Sequence, residues 1–391
     1  MVSFAWLWIL LLWATNAARA AAQSPAGPAI QVYNFSRSET YKEAMLFLHR
    51  MNNPANCTGI DYVQVDMGCG GGFAAHFQLA ASEWLRTARA LDYQKPVIIV
   101  GHIRGYSDGP ECQHVNKDWT CFFLPMSEPA CQQEMIRTGK RIGADLGAVR
   151  LDDSILPGNF SQVGFAYWWG IVQARMFRLQ PQVAALVAQE SARMDRGRGF
   201  PSQATMQGVL AGVHVRHGDK SSDGFKHHSF EAEMAAVLKS PECAVVGVMF
   251  GGCIRTYNDT LNTSAPPGMR IYVASDDASA LISARIMGHL VKEHEGISTQ
   301  TSSAGMFKTL LIHTEVAYNA TIEVITDIHH LARCSSLVGI AASQIFRLAV
   351  GLSNATGYLQ YAAAMDHNHL PKVRAMSAKW ALPLPEDFKV A

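Results

Sequence analysis

Residues 209–220 read VLAGVHVRHGDK, and this stretch gives the clearest indication of the fold. Its first seven residues, 209–215, form a short apolar run with three valines, which is typical of a buried strand. Charged residues follow directly, at the point where the strand ends. Ligands bind at the carboxyl ends of strands in open α/β sheets. Arg216 at that place suits a diphosphate, because its planar guanidinium binds two oxygens and keeps its charge.

Strands and helices alternate on both sides of this stretch. Before it, predicted strands 62–65 and 96–100 flank a helical pattern over 73–90, which makes one βαβ unit. After it come predicted strands and helices over 270–274, 278–294, 320–333, 337–340 and 344–352. The alternation predicts an α/β fold with parallel sheets, and a doubly wound domain in the second half. We place the domain boundary within 195–203, where Gly and Pro interrupt the pattern.

Two helices and one irregular segment complete the first half. The helices are predicted over 165–179 and 181–194, and the second opens at Pro181. Residues 101–147 contain three cysteines and no clear periodicity. We therefore expect this segment to be an insertion at the mouth of a site rather than a linker.

Three polar clusters fall at the predicted carboxyl ends of strands in the second half. The first runs from His214 to Lys220, the second is Ser275-Asp276-Asp277, and the third is Ser343-Gln344 at a helix start. A helix N-terminus adds backbone N–H groups and a positive dipole end, which together favour an anion. Simpler roles remain open, since the two aspartates could cap the next helix and Ser343 could serve only as an N-cap.

Charge and cysteine spacing exclude two kinds of site. The 33 Lys and Arg balance 32 Asp and Glu for a net charge of +1, and no basic stripe interrupts that balance. Non-specific nucleic-acid binding needs clustered positive charge, so we expect no nucleic-acid partner. The absence of any C-x-x-C motif argues against a structural zinc site.

Residues 1–20 are predicted to be a signal peptide. An apolar run over 4–14 is followed by Ala18-Arg19-Ala20, a small-x-small tripeptide of the kind that signal peptidase accepts. A short signal anchor is the alternative, although the run is shorter than the roughly 20 residues that a spanning helix needs. Either way we expect the body of the chain in the ER or Golgi lumen, attached to the membrane only if the segment stays uncleaved.

Sequons and cysteines support a secretory location. Seven of the twelve asparagines precede x-Ser or x-Thr, namely Asn34, Asn56, Asn159, Asn258, Asn262, Asn319 and Asn354. Asn319 falls inside a helical pattern, so we expect it to be unused. The eight cysteines fit an oxidising compartment, and local disulfides are expected among Cys112, Cys121 and Cys131 and between Cys243 and Cys253.

The polar clusters also carry a resemblance to a family. GVHVRHGDK, residues 212–220, resembles the HVRRTDK element of the α1,6-fucosyltransferases that modify the core of N-glycans. Four further segments are similar, in the same order as in the family, over roughly residues 60–355. In the first half they are CGGG at 69–72 with His76, and Trp168-Trp169 together with Gln173, Arg178, Gln180 and Pro181. In the second half they are YVASDD at 272–277, and DIHHL at 327–331 together with Ser343-Gln344. One such motif is weak evidence, whereas five in order are strong.

The resemblance implies a GT-B-like fold with two Rossmann-like domains. Residues 21–202 would form the N-terminal α/β domain, and 203–391 the domain that binds the nucleotide sugar. The implied reaction is inverting transfer of fucose from GDP-fucose, a co-substrate, to a glycan or glycoprotein acceptor, without cofactor or metal. His214 and Asp327 would hold the nucleoside and Arg216 the diphosphate, and the rest of the implied donor site is His217, Asp276, Asp277, Ser343, Gln344, Gly70 and Gly72.

The chain departs from the family pattern at several positions. The family's catalytic glutamate falls on Gly224, so Asp223 is the nearest carboxylate, and Lys220 could keep it ionised. Asp219 and Glu231 are the other candidate bases on this segment, and a base supplied elsewhere is a further alternative. The second arginine of the family's pair is His217 here, which makes the charge near the diphosphate pH-dependent. Cysteines of the family are replaced by Phe73, Gly339 and Phe346, so two of its disulfides cannot form.

Three hypotheses follow for the function. The first is a fucosyltransferase whose product is α1,6-linked to the N-glycan core GlcNAc. The second is a protein O-fucosyltransferase or an oligosaccharide fucosyltransferase, which shares the H-x-R element. The third is an inactive, secreted glycan-binding homologue, suggested by the missing glutamate at Gly224. Asp276 and Asp277 are adjacent, unlike the Asp-x-Asp of metal-dependent glycosyltransferases, so no Mn²⁺ dependence is expected.

Overall fold

The computed structural model describes residues 37–67, 72–146, 149–198, 210–215, 270–275, 280–282, 284, 316–334, 336–339, 343–357 and 361–364. Within these residues the helices are α1 Arg37–Asn52, α2 Phe73–Ala90, α3 Pro129–Thr138, α4 Phe165–Met176, α5 Pro181–Arg198, α6 Ala317–Leu331 and α7 Gln344–Thr356. The strands are β1 Val63–Asp66, β2 Val97–Val100, β3 Leu210–Val215, β4 Arg270–Ser275, β5 Ser336–Gly339 and β6 Tyr361–Ala364. No helix among them is long and apolar enough to cross a membrane.

The predicted βαβ unit of the first half is confirmed. β1 and β2 pair in parallel, with Val63 opposite Val97, and α2 connects them over the predicted residues. Val65 packs with α2 in the main core, whereas Ile98 packs on the other face with Cys131 of α3. Both faces of this small sheet are therefore covered, which explains why β2 is apolar throughout.

The second half contains a four-stranded parallel sheet in the order β4-β3-β5-β6. Val213 of β3 lies in register with Val273 of β4 and with Val338 of β5. The strands that follow β3 in the chain thus lie on opposite sides of it, which is the order reversal of a doubly wound sheet. The predicted α/β class with parallel sheets is confirmed.

The two faces of the four-stranded sheet are covered by different helices. On one face Tyr272 and Ala274 of β4 pack against Leu331 of α6 and Phe346 of α7. On the other face Val213, Val215 and Val273 pack against the helical residues Ala280, Leu281 and Ala284. The sheet is therefore sandwiched between helices, as parallel sheets require.

The segment expected to be irregular, 101–147, contributes to the core instead. It includes α3 and the short 3-10 helices Pro110–Val115 and Trp119–Cys121, and Phe122 and Phe123 are fully buried. The local disulfide Cys112–Cys121 forms as predicted. Cys131 pairs with Cys57, 74 residues away, rather than with a local partner, because α3 folds back onto the β1–β2 sheet.

Helices α4 and α7 join the two halves of the chain. A Cβ atom on Gly170 of α4 would lie 2.3 Å from the backbone oxygen of Gly351 of α7, and one on Gly351 would lie 2.0 Å from Gln173 Oε1. Only glycine permits an approach this close. The main core accordingly combines Trp168 and Trp169 of α4 with Leu352 of α7.

The sequons differ in their accessibility. Asn56 and Asn159 are exposed, and Asn319 is exposed in the first turn of α6. Asn354 is only 4% exposed inside α7, so this fold withholds it from glycosylation. The remaining sequons lie outside the described residues, as do Cys243 and Cys253.

Candidate functional site

The carboxyl edge of the four-stranded sheet is where the topology favours a ligand. Open α/β sheets bind ligands where the strand order reverses, and here the reversal occurs at β3, between β4 and β5. β3 ends at Val215, which pairs with Ser275 at the end of β4, and β5 ends at Gly339. The ends of these three strands therefore lie side by side.

His214 is the penultimate residue of β3 and is 4% exposed. Val213 and Val215 beside it point to the face covered by Ala280, Leu281 and Ala284. Because side chains alternate along a strand, His214 lies on the opposite face, which α6 and α7 cover. The sequence pattern thus brings a histidine to the helix-covered face at the sheet's carboxyl edge.

Asp327 reaches the same face from α6. Its Oδ1 atom accepts a hydrogen bond from the Tyr272 hydroxyl at 2.7 Å. Tyr272 is fully buried in β4, and Asp327 is 8% exposed. Burial, and then the negative charge of Asp327, raise the pKa of Tyr272 well above its usual value. Tyr272 is therefore a permanent donor to this carboxylate.

A pair of histidines follows Asp327 on α6. The ring of His330 is buried and lies 5.1 Å, between centroids, from the ring of Tyr272. Burial, and then the charge of Arg333, lower the pKa of His329 to about 4. At neutral pH His329 is uncharged, so it adds no positive charge beside Asp327.

The N-terminus of α7 follows β5 at the same edge. Ser343 occupies the N-cap position and is 2% exposed, but its hydroxyl accepts no hydrogen bond from the first turn. Ser343 therefore does not act as a side-chain cap of α7. The Ser343 side chain leaves the backbone N–H groups of the first turn uncapped, and such groups can bind an anion.

Gln344 and Arg347 add polar groups to this first turn. The backbone oxygen of Gln344 accepts a hydrogen bond of 3.2 Å from Gln78 Nε2 of α2. Its buried side-chain oxygen has no hydrogen-bond partner within the described part of the chain. Most buried polar atoms in proteins are hydrogen-bonded, so this oxygen differs from the usual pattern. Arg347 is 2% exposed, which is unusual for a charged residue.

Gly339 at the end of β5 and Phe346 in the first turn of α7 are in direct contact. A Cβ atom on Gly339 would lie 2.5 Å from Phe346 Cδ2. The phenyl ring therefore occupies the space above the glycine. The end of β5 is thus packed against the first turn of α7 without a cross-link.

Gly72 marks the corresponding edge of the β1–β2 sheet. It is the N-cap residue of α2, and a Cβ atom placed there would lie 3.9 Å from the Tyr106 hydroxyl. Thr321 of α6 donates a hydrogen bond of 3.0 Å to the backbone oxygen of Tyr106, and Phe122 stacks on Tyr318 at 5.2 Å. The segment after β2 is therefore held against the beginning of α6.

The described residues include only part of the predicted donor site. His214 and Asp327 share one face of the sheet, Ser343 and Gln344 begin α7, and Gly72 begins α2. Outside the described residues lie Arg216, His217, Lys220, Asp223, Asp276, Asp277 and Gly70. Within the described ranges no three His, Cys, Asp or Glu side chains group as metal ligands would.

Sequence reasoning missed Tyr272, Gln78 and Arg347. Tyr272 reads as an ordinary strand residue, and its contact with Asp327 spans 55 positions of sequence. Gln78 contacts α7 across 266 positions. Arg347 alone has a local signal, because it interrupts the apolar stretch IFRLAV at 345–350.

Comparison with solved structures finds fucosyltransferases. NodZ alpha-1,6-fucosyltransferase from Bradyrhizobium, soaked with GDP-fucose, is similar at 12% identity and a TM-score of 0.39, over 79% of this chain and 96% of that chain. A mutant of Arabidopsis thaliana FUT1 in complex with GDP is similar at 11% identity and a TM-score of 0.37, over 80% of this chain and 73% of that chain. POFUT1 in complex with GDP is similar at 10% identity and a TM-score of 0.34, over 79% of this chain and 98% of that chain. No family model and no curated protein matches the chain.

Proposed function

We propose that this chain is an inverting, GDP-fucose-dependent fucosyltransferase. The observation that carries the proposal is the convergence of His214, the Asp327 carboxylate and the uncapped start of α7 on one side of a strand-order reversal. The carboxylate suits a base that presents N–H donors, and the helix start suits a phosphate. The H-x-R element and the four other ordered motifs support GDP-fucose as the donor.

In this proposal Arg216 binds the diphosphate directly after β3. The acceptor oxygen attacks the anomeric carbon as the bond from that carbon to the β-phosphate oxygen breaks. Negative charge then develops on the departing GDP. The fixed guanidinium of Arg216 stabilises this charge more in the transition state than in the ground state. The remaining donor-binding residues hold GDP-fucose in place, and they are Ser343, Gln344, Gly70, Gly72, Asp276 and Asp277. His217 adds positive charge only when protonated.

Asp223 is the proposed base that takes the proton of the acceptor hydroxyl. It lies beside the position of the family's catalytic glutamate, and Gly224 allows the backbone to turn. Lys220 favours its ionised form. Asp223→Asn should abolish transfer while GDP affinity stays close to wild type. Unchanged transfer by this variant would assign the base to another residue.

The proposal extends to architecture and location. We infer two Rossmann-like domains in a GT-B-like arrangement, at 21–202 and 203–391, after a signal segment at 1–20. The two disulfides favour the lumen of the ER or Golgi. The acceptor is a glycan hydroxyl, and α1,6 transfer to the N-glycan core GlcNAc fits the resemblance best.

The test is a transfer assay with GDP-fucose and an array of N-glycans, protein acceptors and oligosaccharides. Arg216→Lys keeps the charge but loses the two-pronged contact, so transfer should fall by orders of magnitude. Arg137→Lys, on the exposed surface of α3, is the control and should transfer like wild type. Purified wild-type protein that neither transfers fucose nor slowly hydrolyses GDP-fucose would favour the glycan-binding homologue.

Metal dependence separates this proposal from another class of glycosyltransferase. Asp276 and Asp277 are adjacent in sequence, so their side chains are not spaced as a metal-binding pair. Transfer should persist in EDTA. Loss of transfer that Mn²⁺ restores would give these aspartates a metal-binding role instead.

A further inference from the structure

We propose that Gln78 of α2 is a positioning residue of the donor site, which fixes the start of α7 so that its backbone N–H groups meet the diphosphate of the donor. The inference rests on the proposed function, since it takes a diphosphate as the ligand at this helix start. Gln78 Nε2 donates a hydrogen bond of 3.2 Å to the backbone oxygen of Gln344, the first residue of α7. The contact joins the two halves of the chain across 266 positions.

The Gln78 side chain is an amide in a fully buried position. It is 0% exposed, and only its N–H₂ end can donate to a carbonyl oxygen, so the orientation of the amide is set by α7. Its Oε1 atom has no hydrogen-bond partner within the described residues. A methionine would fill a similar space without burying an unsatisfied oxygen, so packing alone does not account for an amide here. The bond to α7 is what distinguishes glutamine from an apolar residue of similar length.

Two helix starts lie close to this contact. α2 begins after Gly72, which has no side chain to cap it, and α7 begins after Ser343, whose hydroxyl does not cap it. Gln78 lies in the second turn of α2, about 9 Å along the helix axis from Gly72. The bond therefore holds the uncapped start of α7 near the uncapped start of α2. The positive ends of both helix dipoles favour an anion there.

The first turn of α7 is held by apolar and by polar contacts. Phe346 packs on Gly339 of β5, and an apolar contact of this kind is non-directional. The hydrogen bond from Gln78 fixes both a distance and a direction. The close crossing with α4 is at Gly351, about two turns further along α7. The Gln78 bond therefore sets where the N–H groups at the start of the helix point.

The two parts of GDP should respond differently to the loss of this bond. In the proposed function the start of α7 holds phosphate oxygens, whereas His214 and Asp327 hold the nucleoside. Groups that bind a ligand must be held in place by the residues behind them. Removing the Gln78 donor should therefore weaken GDP and leave guanosine nearly unchanged. A purely structural role of Gln78 would weaken both ligands together or neither.

The experiment measures the dissociation constant of GDP by calorimetry and that of guanosine by ligand-observed NMR, together with thermal stability. Gln78→Met deletes the donor, and it should weaken GDP about tenfold while guanosine changes less than about twofold. Gln180→Met is the matched control, because Gln180 Nε2 also donates to backbone oxygens, those of Thr120 at 2.9 Å and Phe123 at 3.2 Å. It should lower stability without changing the ratio of GDP to guanosine affinity.

A second variant keeps the test decisive if Gln78→Met folds poorly. Gln78→Glu has a donor only while its carboxyl group is protonated, because an ionised carboxylate only accepts and is repelled by the Gln344 oxygen. GDP affinity, taken relative to wild type at the same pH, should be within about threefold of wild type in acid. It should fall more than about tenfold once the group ionises. A single protein thus gains and loses the contact as the pH changes.

The outcomes separate this inference from the function beneath it. Wild-type protein that binds GDP, with GDP and guanosine equally weakened or equally unchanged in Gln78→Met, overturns the role of Gln78 and leaves the proposed function standing. A relative GDP affinity of Gln78→Glu that does not vary with pH also overturns it. Wild-type protein that binds neither GDP nor GDP-fucose overturns the proposed function and this inference together.

Discussion

The two parallel sheets of this protein have different surroundings. The β1–β2 sheet lies beside a cluster of aromatic rings, with Phe77, Trp119 and Phe123 packed ring against ring at centroid distances of 4.6 to 6.3 Å, and α2 also buries His76 and Gln78 there. The four-stranded sheet has no such ring cluster among the described residues, and it carries a hydrogen-bonded tyrosine–aspartate pair on its α6–α7 face. Two covalent cross-links lie in the first region, whereas Cys334 beneath the second sheet is a free thiol.

This difference indicates a division of labour. The first region holds both disulfides found among the described residues, whereas the tyrosine–aspartate pair lies in the sheet whose strand order reverses, where open α/β sheets bind ligands. We infer that the first region supplies rigidity and the second supplies recognition. Substitutions and acidification can therefore act on the first region, on the second region or on the α4–α7 contact between them.

Removing the long-range disulfide should have the largest effect. Cys57 and Cys131 are 74 residues apart, and by chain entropy their cross-link contributes about 4.5 kcal/mol to the free energy of unfolding. The local pair Cys112–Cys121, with a separation of 9, serves as the control and should contribute about 2.7 kcal/mol. Serine replacement of each pair, followed by denaturant unfolding, measures both. A larger loss for the local pair would contradict the view that the link to α3 braces the first region.

Acidification should act on the second region through His329. Its folded-state pKa of about 4 lies below the usual 6.5, so between these values the folded protein binds fewer protons than the unfolded chain. Stability due to this group is present above pH 6.5 and is lost as the pH falls towards 4, by up to about 3 kcal/mol. His329→Gln should flatten the curve of unfolding free energy against pH in this window. An unchanged slope would mean that His329 titrates as a solvated side chain.

Widening the α4–α7 contact should separate the two regions. Gly170→Ala places a methyl group 2.3 Å from the Gly351 backbone oxygen, so the helices must move apart. We expect a loss of about 1–3 kcal/mol in the free energy of unfolding. Gly158→Ala is the matched control, because nothing lies within 4 Å of its added methyl group. Equal effects of the two substitutions would refute the tight crossing.

Glycosylation should occur only at exposed sequons, and of these changes it should affect the stability of the fold least. In a secreting host, peptide mapping should find glycans at Asn56 and Asn159, which are exposed, and none at Asn354, which is buried in α7. Asn56 also accepts a hydrogen bond from the backbone of Thr58 within its own sequon. A glycan on Asn354 would mean that this helix forms after modification.

Local pattern predicted most of the regular structure. The strand over 209–215 and the helix over 73–90 were accessible because apolar periodicity and flanking Gly and Pro are local properties. The stretches that became α1, α3 and β6 received no prediction. Within 101–147 the cysteines and short apolar stretches follow no single period, so the sequence does not show which of them are buried. Their burial depends on the β1–β2 sheet, against which Cys131 and Met135 pack.

The sequence by itself determined which residues stand at strand ends and helix starts. His214, Ser343 and Gln344 are found in this way, because chemistry-bearing residue types next to a predicted boundary are visible in one dimension. Asp327 lies inside a predicted helix, and only the family resemblance indicates it. Their resemblance to a family of fucosyltransferases was readable for the same reason.

The tertiary structure decided which of these residues meet and what holds them. Tyr272 is joined to Asp327 by the strand order and by the packing of α6 over Gly212, not by any spacing along the chain. Cys57 finds Cys131, and Asn354 is buried, for the same physical reason. Contacts between distant segments depend on how helices pack on sheets, and that packing is a property of the whole core rather than of any local run of residues.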